Sequence, residues 1–324
     1  MLFLAEARPF LPIDLPLVRR LTPHGVSLDT ATSLTRGVHP IDGAVWSSVP
    51  LADFGMPTFV LRAGDRNYAA QFRHKFGEPN AHIVFVAPDL QRHADTSAWL
   101  QLLDTMVSAA GRRGALTLNA EVDDTSPVFE VLREAGFSLY TRQTIWRSEP
   151  GALAPGDATL LRPETDRDTF AIHALCAAVV PRMICQAGGL PDRGGGLVYE
   201  RHEHLGAYLS IQEGKCGIYI QPFLRPEVFD RAGALLRSVW AILPHTDRVP
   251  VYVCIRRYQE WLQGTLTALD FQPWASQAVM VKHLTSRVEQ SHWSRERARN
   301  FVLPVISDYY DACLLEKYKG VSKN

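Results

Sequence analysis

Two stretches of this chain read as one object written twice. The first, 83–146, contains Val131-Leu132-Arg133-Glu134-Ala135-Gly136-Phe137; the second, 218–280, contains Thr265-Leu266-Thr267-Ala268-Leu269-Asp270-Phe271. Phe137 and Phe271 lie 134 positions apart (271 − 137), as do Pro88 and Pro222, each of which is read as closing a short apolar strand. A fixed period across strand, helix, strand and helix predicts two domains of one type. The openings repeat as well. Arg8-Pro9 with Asp14 returns as Arg162-Pro163 with Asp168, at an offset of 154 (162 − 8). The first half therefore carries about 20 extra residues, which the loop-like stretch 37–57 accounts for.

A length of 324 residues suits two domains that each bury a core. Lys and Arg number 34 and Asp and Glu 34, so the basic stripe expected of a duplex-binding protein is absent. No apolar run approaches the roughly 20 residues that span a bilayer. Met1-Leu2-Phe3-Leu4-Ala5 is followed at once by Glu6 and Arg8, too short an apolar core for a signal peptide. Cys176, Cys185, Cys216, Cys254 and Cys313 are odd in number and include no C-x-x-C pair, so reduced thiols in a cytoplasmic setting are expected.

In the first half the pattern predicts strands at 58–62, 68–74 and 82–87, with Gly64-Asp65 as a turn. A helix over 96–112 has Asp95 as N-cap, and Trp99, Leu102, Leu103, Met106, Val107 and Ala110 share one face. A strand follows at 116–122. Ser126-Pro127 starts a second helix, with Val128, Phe129, Leu132 and Ala135 buried, and Gly136 ends it. A last strand over 138–147 closes the sheet. In the second half, strands at 207–212 and 217–221 flank Glu213-Gly214. Pro226 opens a helix, 249–255 is a strand, 259–269 a helix and 277–284 the closing strand. Asp270 stands where Gly136 stood and tolerates the left-handed backbone better than most residues. The linker is 148–157. The expected division is 1–150, 151–288 and a helical tail over 289–324, in which Ile306, Tyr309, Tyr310, Cys313 and Tyr318 form one sticky face. That tail is expected to dock on the protein itself, recruitment of a partner or self-association being the alternative.

This order of elements resembles the GNAT superfamily of acyl-CoA-dependent N-acyltransferases. The residues that carry the resemblance are Ile83-Val-Phe-Val-Ala-Pro88, Phe129-Glu-Val-Leu-Arg-Glu-Ala-Gly-Phe137 and Arg162-Pro163-Glu164-Thr165-Asp166-Arg167-Asp168. It covers about residues 5–147 and 158–284. It implies two tandem GNAT-like α/β domains, each a mixed central sheet flanked by helices, and an acetyl-CoA or other acyl-CoA cofactor. The implied activity is acyl transfer to a small amine, with neither nucleic acid nor membrane as partner. By the same resemblance the cofactor lies beside Phe85, Val86 and Ala87, its phosphates at Gln91, Arg92, Ala94, Thr96 and Ser97.

The sequence departs from the family where chemistry is handled. Ala94 and Thr96 stand where the family's phosphate loop has small, mostly glycine residues, and Asp95 adds a negative charge. The second half's loop, Gln221-Pro222-Phe223-Leu224-Arg225-Pro226, has no glycine and loses two amide donors to proline. Leu132 and Leu266 occupy the place of the tyrosine that many members use as general acid. A catalytically degenerate tandem protein that binds or scaffolds is therefore the second reading.

Other patterns have plainer readings beside the chemical ones. His202-Glu203-His204 could place two metal ligands on one strand face but lacks a third, and a solvated edge strand is expected. Gly188-Gly189 and Gly194-Gly195-Gly196 lack a P-loop context and read as a loop, with a lid over the acceptor site as the functional alternative. Arg256-Arg257-Tyr258 is either a surface strand end or an anion contact. Asp123-Asp124 is either an acidic turn or a base for an acceptor amine. Trp99, Trp240 and Trp261 read as core or interface.

Overall fold

A computed structural model describes residues 7–37, 55–90, 95–188, 195–201, 204–243 and 245–284. The expected tail, Gly189 and Gly194, His202 and Glu203, and most of the stretch 37–57 lie outside the described residues. No described helix is long and apolar enough to cross a membrane.

The first half supplies β1 (Arg8–Pro9), α1 (Leu15–Leu21), β2 (Val26–Ser27), α2 (Thr30–Arg36), β3 (Thr58–Ala63), β4 (Arg66–Arg73), β5 (Asn80–Ala87), α3 (Thr96–Arg112), β6 (Thr117–Asp123), α4 (Pro127–Glu134) and β7 (Ser138–Ser148). The second supplies β8 (Arg162–Pro163), α5 (Thr169–Val179), α6 (Arg182–Gly188), β9 (Leu197–Arg201), β10 (His204–Glu213), β11 (Ile218–Leu224), α7 (Ala232–Ile242), β12 (Val251–Arg256), α8 (Gln263–Ala268) and β13 (Gln272–His283). The expected helices after Pro226 and near Gln259 each begin as a 3-10 segment, Pro226–Arg231 and Arg257–Leu262.

The openings repeat because each builds the same ion pair. Arg8 holds Asp14 through two bonds of 2.7 Å, and Arg162 holds Asp168 through two of 2.8 Å. Each carboxylate also accepts a backbone N–H at the start of its 3-10 turn, Leu11 at 3.0 Å and Thr165 at 2.7 Å. The helix corners repeat for an equally local reason. Gly136 has φ +82° and Asp270 φ +59°, so the chain leaves each helix through the left-handed region. Phe137 N then bonds Leu132 O at 2.9 Å, and Phe271 N bonds Leu266 O at 3.0 Å, which turns both rings into the core. Asp95 and Ser126 cap α3 and α4 as expected, each accepting a backbone N–H in the first turn.

The two halves share one sheet, in the order β1-β3-β4-β5-β6-β13-β7-β12-β11-β10-β9-β8, with β2 paired to β5. It is parallel only at β5–β6 and β11–β12. The expectation that β7 and β13 each close their own half is corrected by the pairing. β7 lies against β12 of the second half, and β13 against β6 of the first. The two exchanged strands pair with each other in the middle, Gln143 opposite Gln277. Residue i of β7 faces residue 420 − i of β13 there, and the halves are offset by 134, so a local twofold axis passes between these glutamines. Sequence periodicity cannot reveal this, because a swapped strand has the same pattern as an unswapped one.

The inner helices cross over in the same sense. α2 packs on β10 and β11, and α6 on β6 and β7. The approach of α2 is close enough that a Cβ on Gly214 would lie 2.1 Å from the Thr35 carbonyl oxygen. One core lies under α3 and α4, built around Trp99, Leu102, Phe72 and Phe137, and takes in Ala278 and Met280 from β13. The other, around Leu235, Val239, Leu266 and Phe271, takes in Trp146 from β7.

Pro222 lies inside β11 rather than closing it, which corrects its equivalence with Pro88. Its carbonyl, and hence its ring nitrogen, faces away from β10 toward a place where no strand pairs, so no ladder bond is lost.

Candidate functional site

Two grooves arise from the sheet itself. β5 and β6 pair only at Asn80–Thr117, Ala81–Leu118 and His82–Asn119; β11 and β12 pair only at Ile218–Val251, Tyr219–Tyr252 and Ile220–Val253. Beyond those points each parallel pair parts, and backbone groups on the facing edges need partners. What fills each gap decides what the groove can hold.

In the first half the gap is filled by the chain itself. β2 pairs Val26 with Val86 and Ser27 with Phe85. Leu28 then spans both strands: its N–H donates to Val84 O at 3.1 Å and its carbonyl accepts from Glu121 N at 2.8 Å. Its side chain, 1% exposed, joins the core under α3. The Glu121 carboxylate accepts Thr30 N at 3.0 Å, which fixes the start of α2. Of the residues expected to hold a cofactor, Phe85, Val86 and Ala87 are fully buried beside this segment. Thr96 and Ser97 are exposed at the start of α3, where Asp95 already accepts Ser97 N at 2.9 Å and Ser97 Oγ at 2.8 Å. Those bonds hold the Asp95 carboxyl below its ordinary value, so it stays negative at the helix end. Trp99 Nε1 donates to Pro88 O at 2.9 Å and ties the strand exit to α3. Gln91, Arg92 and Ala94 lie outside the described residues.

In the second half the gap is crossed by a side chain. Gln259 accepts Arg256 N at 3.1 Å and donates Nε2 to Pro222 O at 2.5 Å. This tie draws its backbone to φ −110°, ψ 16° and breaks the helical run there. Beside it is a cavity of about 170 Å³ lined by Ala178, Val179, Leu224, Tyr258 and the stacked rings of Phe229 and Trp261, 3.5 Å apart. The Tyr258 hydroxyl is buried and has no hydrogen-bond partner among the described residues. Burial pushes this phenol up to about 12, so it holds its proton at neutral pH. At the end of β11 a second cavity, about 510 Å³, is lined by Arg201, His204 and Arg225 with Glu227. Arg225 is fixed there by its Nε bond to Leu205 O at 3.0 Å.

The remaining candidates fall out plainly. Leu132 and Leu266 are fully buried and donate no proton. Asp123 accepts Thr125 N at 2.7 Å and Asp124 pairs with Arg142 at 2.7 Å, which makes an acidic turn. Arg256 points inward with a buried Nε, contrary to a surface strand end. Trp99 and Trp240 are core. Cys176 and Cys254 are buried and pushed up to about 12, which keeps them protonated and poor nucleophiles. No group of three metal-ligating side chains occurs among the described residues. The sequence reading missed Leu28 and Gln259. Val26-Ser27-Leu28, between Gly25 and Asp29, carries a short alternation that marks a strand, whereas nothing local marks Gln259 as a bridge.

No protein-family model matches the chain, and no curated protein matches it in sequence. Solved structures do match in fold, 140 chains in all. A GCN5-related N-acetyltransferase from Sphaerobacter thermophilus superposes with a TM-score of 0.55 at 12% identity, over 86% of this chain and 96% of that one. A tandem GNAT protein from the clavulanic acid biosynthesis pathway gives 0.53 at 15% identity, over 87% and 99%. The chain carries the GNAT fold in tandem. At such identities the likeness concerns the fold, and within this tandem GNAT fold the two grooves differ in what occupies them.

Proposed function

We propose that this tandem GNAT-fold chain is an acyl-CoA-dependent N-acyltransferase acting on a small amine, and that its second half holds the cofactor. The observation that supports this is the difference between the two grooves. Main chain fills the first, whereas among the described residues the second is crossed by the Gln259 carboxamide, which can leave by rotating its side chain. A carboxamide between a strand carbonyl and a strand N–H is also the kind of group that the amide-containing arm of coenzyme A would replace. Acyl-CoA, when bound, supplies an activated thioester. Pro222 O and Arg256 N would hold the arm, and Arg201 and Arg225 would face its phosphates. The Tyr258 hydroxyl, protonated at neutral pH, would stand at the cavity between them.

The test is calorimetric titration of the whole chain with acetyl-CoA and with coenzyme A, followed by thiol release over an amine panel. Binding is expected, and Gln259→Ala is expected to tighten it several-fold by removing the internal competitor. No binding of either at millimolar concentration would sink the transferase reading. The second reading, a degenerate pair that binds or scaffolds without turnover, is favoured by Pro222, which puts no N–H into the groove, and by the buried Leu266. Binding without thiol release would select it.

A further inference from the structure

A cavity of about 500 Å³ lies between the halves, away from both grooves. Among the described residues its walls are the end of α2 with Thr32 and Arg36, the β4–β5 connection from Arg73 to Glu78, and the end of β10 with Gln212 and Glu213. Five charged side chains line it: Arg36, Arg73, Lys75, Glu78 and Glu213. Two of the cations are already matched. Arg73 meets buried Asp29 at 2.5 Å, and Lys75 meets Glu78 at 3.6 Å. Arg36 on α2 and Glu213 on β10 have no ion pair among the described residues.

The floor carries a second, independent signal. His74 is 2% exposed and its Nε2 sits 2.8 Å from Glu78 O. A carbonyl only accepts, so Nε2 donates and the other ring nitrogen, Nδ1, presents a lone pair. That Nδ1 is buried without a partner among the described residues. A buried acceptor without a donor is costly, and a ligand that brings an N–H removes the cost.

From the unmatched cation, the unmatched carboxylate and the unfilled acceptor we infer that this cavity binds a small zwitterion bearing an ammonium and a carboxylate, of amino-acid type. The carboxylate faces Arg36. The ammonium faces Glu213 and donates to His74 Nδ1 once a turn of the ring uncovers that buried atom. The site does not depend on acyl transfer, because it shares no residue with the cavities of the second half where the cofactor is placed.

The experiment is calorimetry on the whole chain with the twenty L-amino acids singly, and with acetate and methylamine as single-charge probes. At least one amino acid is expected to bind at sub-millimolar concentration, with acetate and methylamine weaker by about tenfold or more. Arg36→Ala and Glu213→Gln change side chains at the cavity wall. Each is expected to weaken binding by about tenfold or more with an unchanged circular dichroism spectrum. Excess acetyl-CoA is expected to leave the isotherm unchanged. Silence from all twenty amino acids, acetate binding as well as the best of them, full affinity in either variant, or displacement by acetyl-CoA would each overturn the inference.

Discussion

Gln143 donates its carboxamide Nε2 to the Oε1 of Gln277 at 3.1 Å, and these residues occupy the same position in the two halves, 134 apart. Gln277 Oε1 also accepts Thr30 Oγ1 at 2.9 Å, so α2 is fastened to the same point. The pair lies on the local twofold axis, where the exchanged strands β7 and β13 meet. Neither half closes its sheet without the other. Fragments 1–150 and 151–324 made together should therefore co-purify as a one-to-one complex, with each made alone insoluble or self-associated. Independently folded, monomeric fragments in sedimentation velocity would refute the exchange.

The plug in the first groove yields a prediction that separates stability from affinity. Leu28→Ala removes a fully buried side chain from the core under α3, and should cost about 3 kcal/mol in urea unfolding. Its effect on acetyl-CoA affinity should be nil, because the proposed cofactor site is in the other half. A large change in affinity at unchanged stability would return the cofactor to the first groove.

Much of the fold was legible because local chemistry dictated it. The Gly136-Phe137 corner, the Asp95 and Ser126 caps and the Arg8–Asp14 and Arg162–Asp168 spacing each depend on residues close in sequence. The strand exchange was not legible, because β7 and β13 carry the same pattern whichever partner they take. The contents of the grooves were hidden for a related reason. Leu28 meets Glu121 at a separation of 93 positions (121 − 28), and no motif announces such a contact.

Tyr258 gives the reaction its own readout. Tyr258→Phe keeps the ring and removes only a hydroxyl that has no partner among the described residues, so the chain should fold as before. If the phenol protonates the leaving thiolate, kcat should fall by about 100-fold with KM for acetyl-CoA nearly unchanged. The fall of the wild-type rate at high pH, expected as the phenol loses its proton near its raised value of about 12, should vanish in the variant. An unchanged kcat would exclude the role.

The two opening ion pairs predict acid sensitivity of a definite sign. The bond from Arg8 holds the Asp14 carboxyl below its ordinary value, and Arg162 does the same for Asp168. The native state thus releases protons that the unfolded chain keeps below about pH 4. The stabilisation is complete above that pH and is lost as pH falls through the depressed native values. Melting temperature should drop steeply below about pH 4 in the wild type, and less steeply in an Asp14→Asn, Asp168→Asn double variant that is weaker at neutral pH. Parallel curves for the two proteins would show that these pairs do not set the acid limit.

The corner residues test how far the repeat has been optimised. Gly136 and Asp270 both stand at positive φ, and only glycine does so without steric cost. Asp270 is exposed and, among the described residues, has no tertiary bond to lose beyond its own turn. Asp270→Gly should therefore stabilise the chain by about 1 kcal/mol, the relief of left-handed strain outweighing the added freedom of the unfolded backbone. Gly136→Ala should destabilise by about the same amount. An added Cβ there meets the Lys282 side chain, Nζ at 3.5 Å and Cε at 3.8 Å, which are ordinary contacts, so the penalty is conformational rather than steric crowding. Urea unfolding of the two single variants measures both signs. Destabilisation by Asp270→Gly would mean that the aspartate earns its place through the unfolded chain's entropy or its charge, and that the second corner is held by something other than the repeat's geometry.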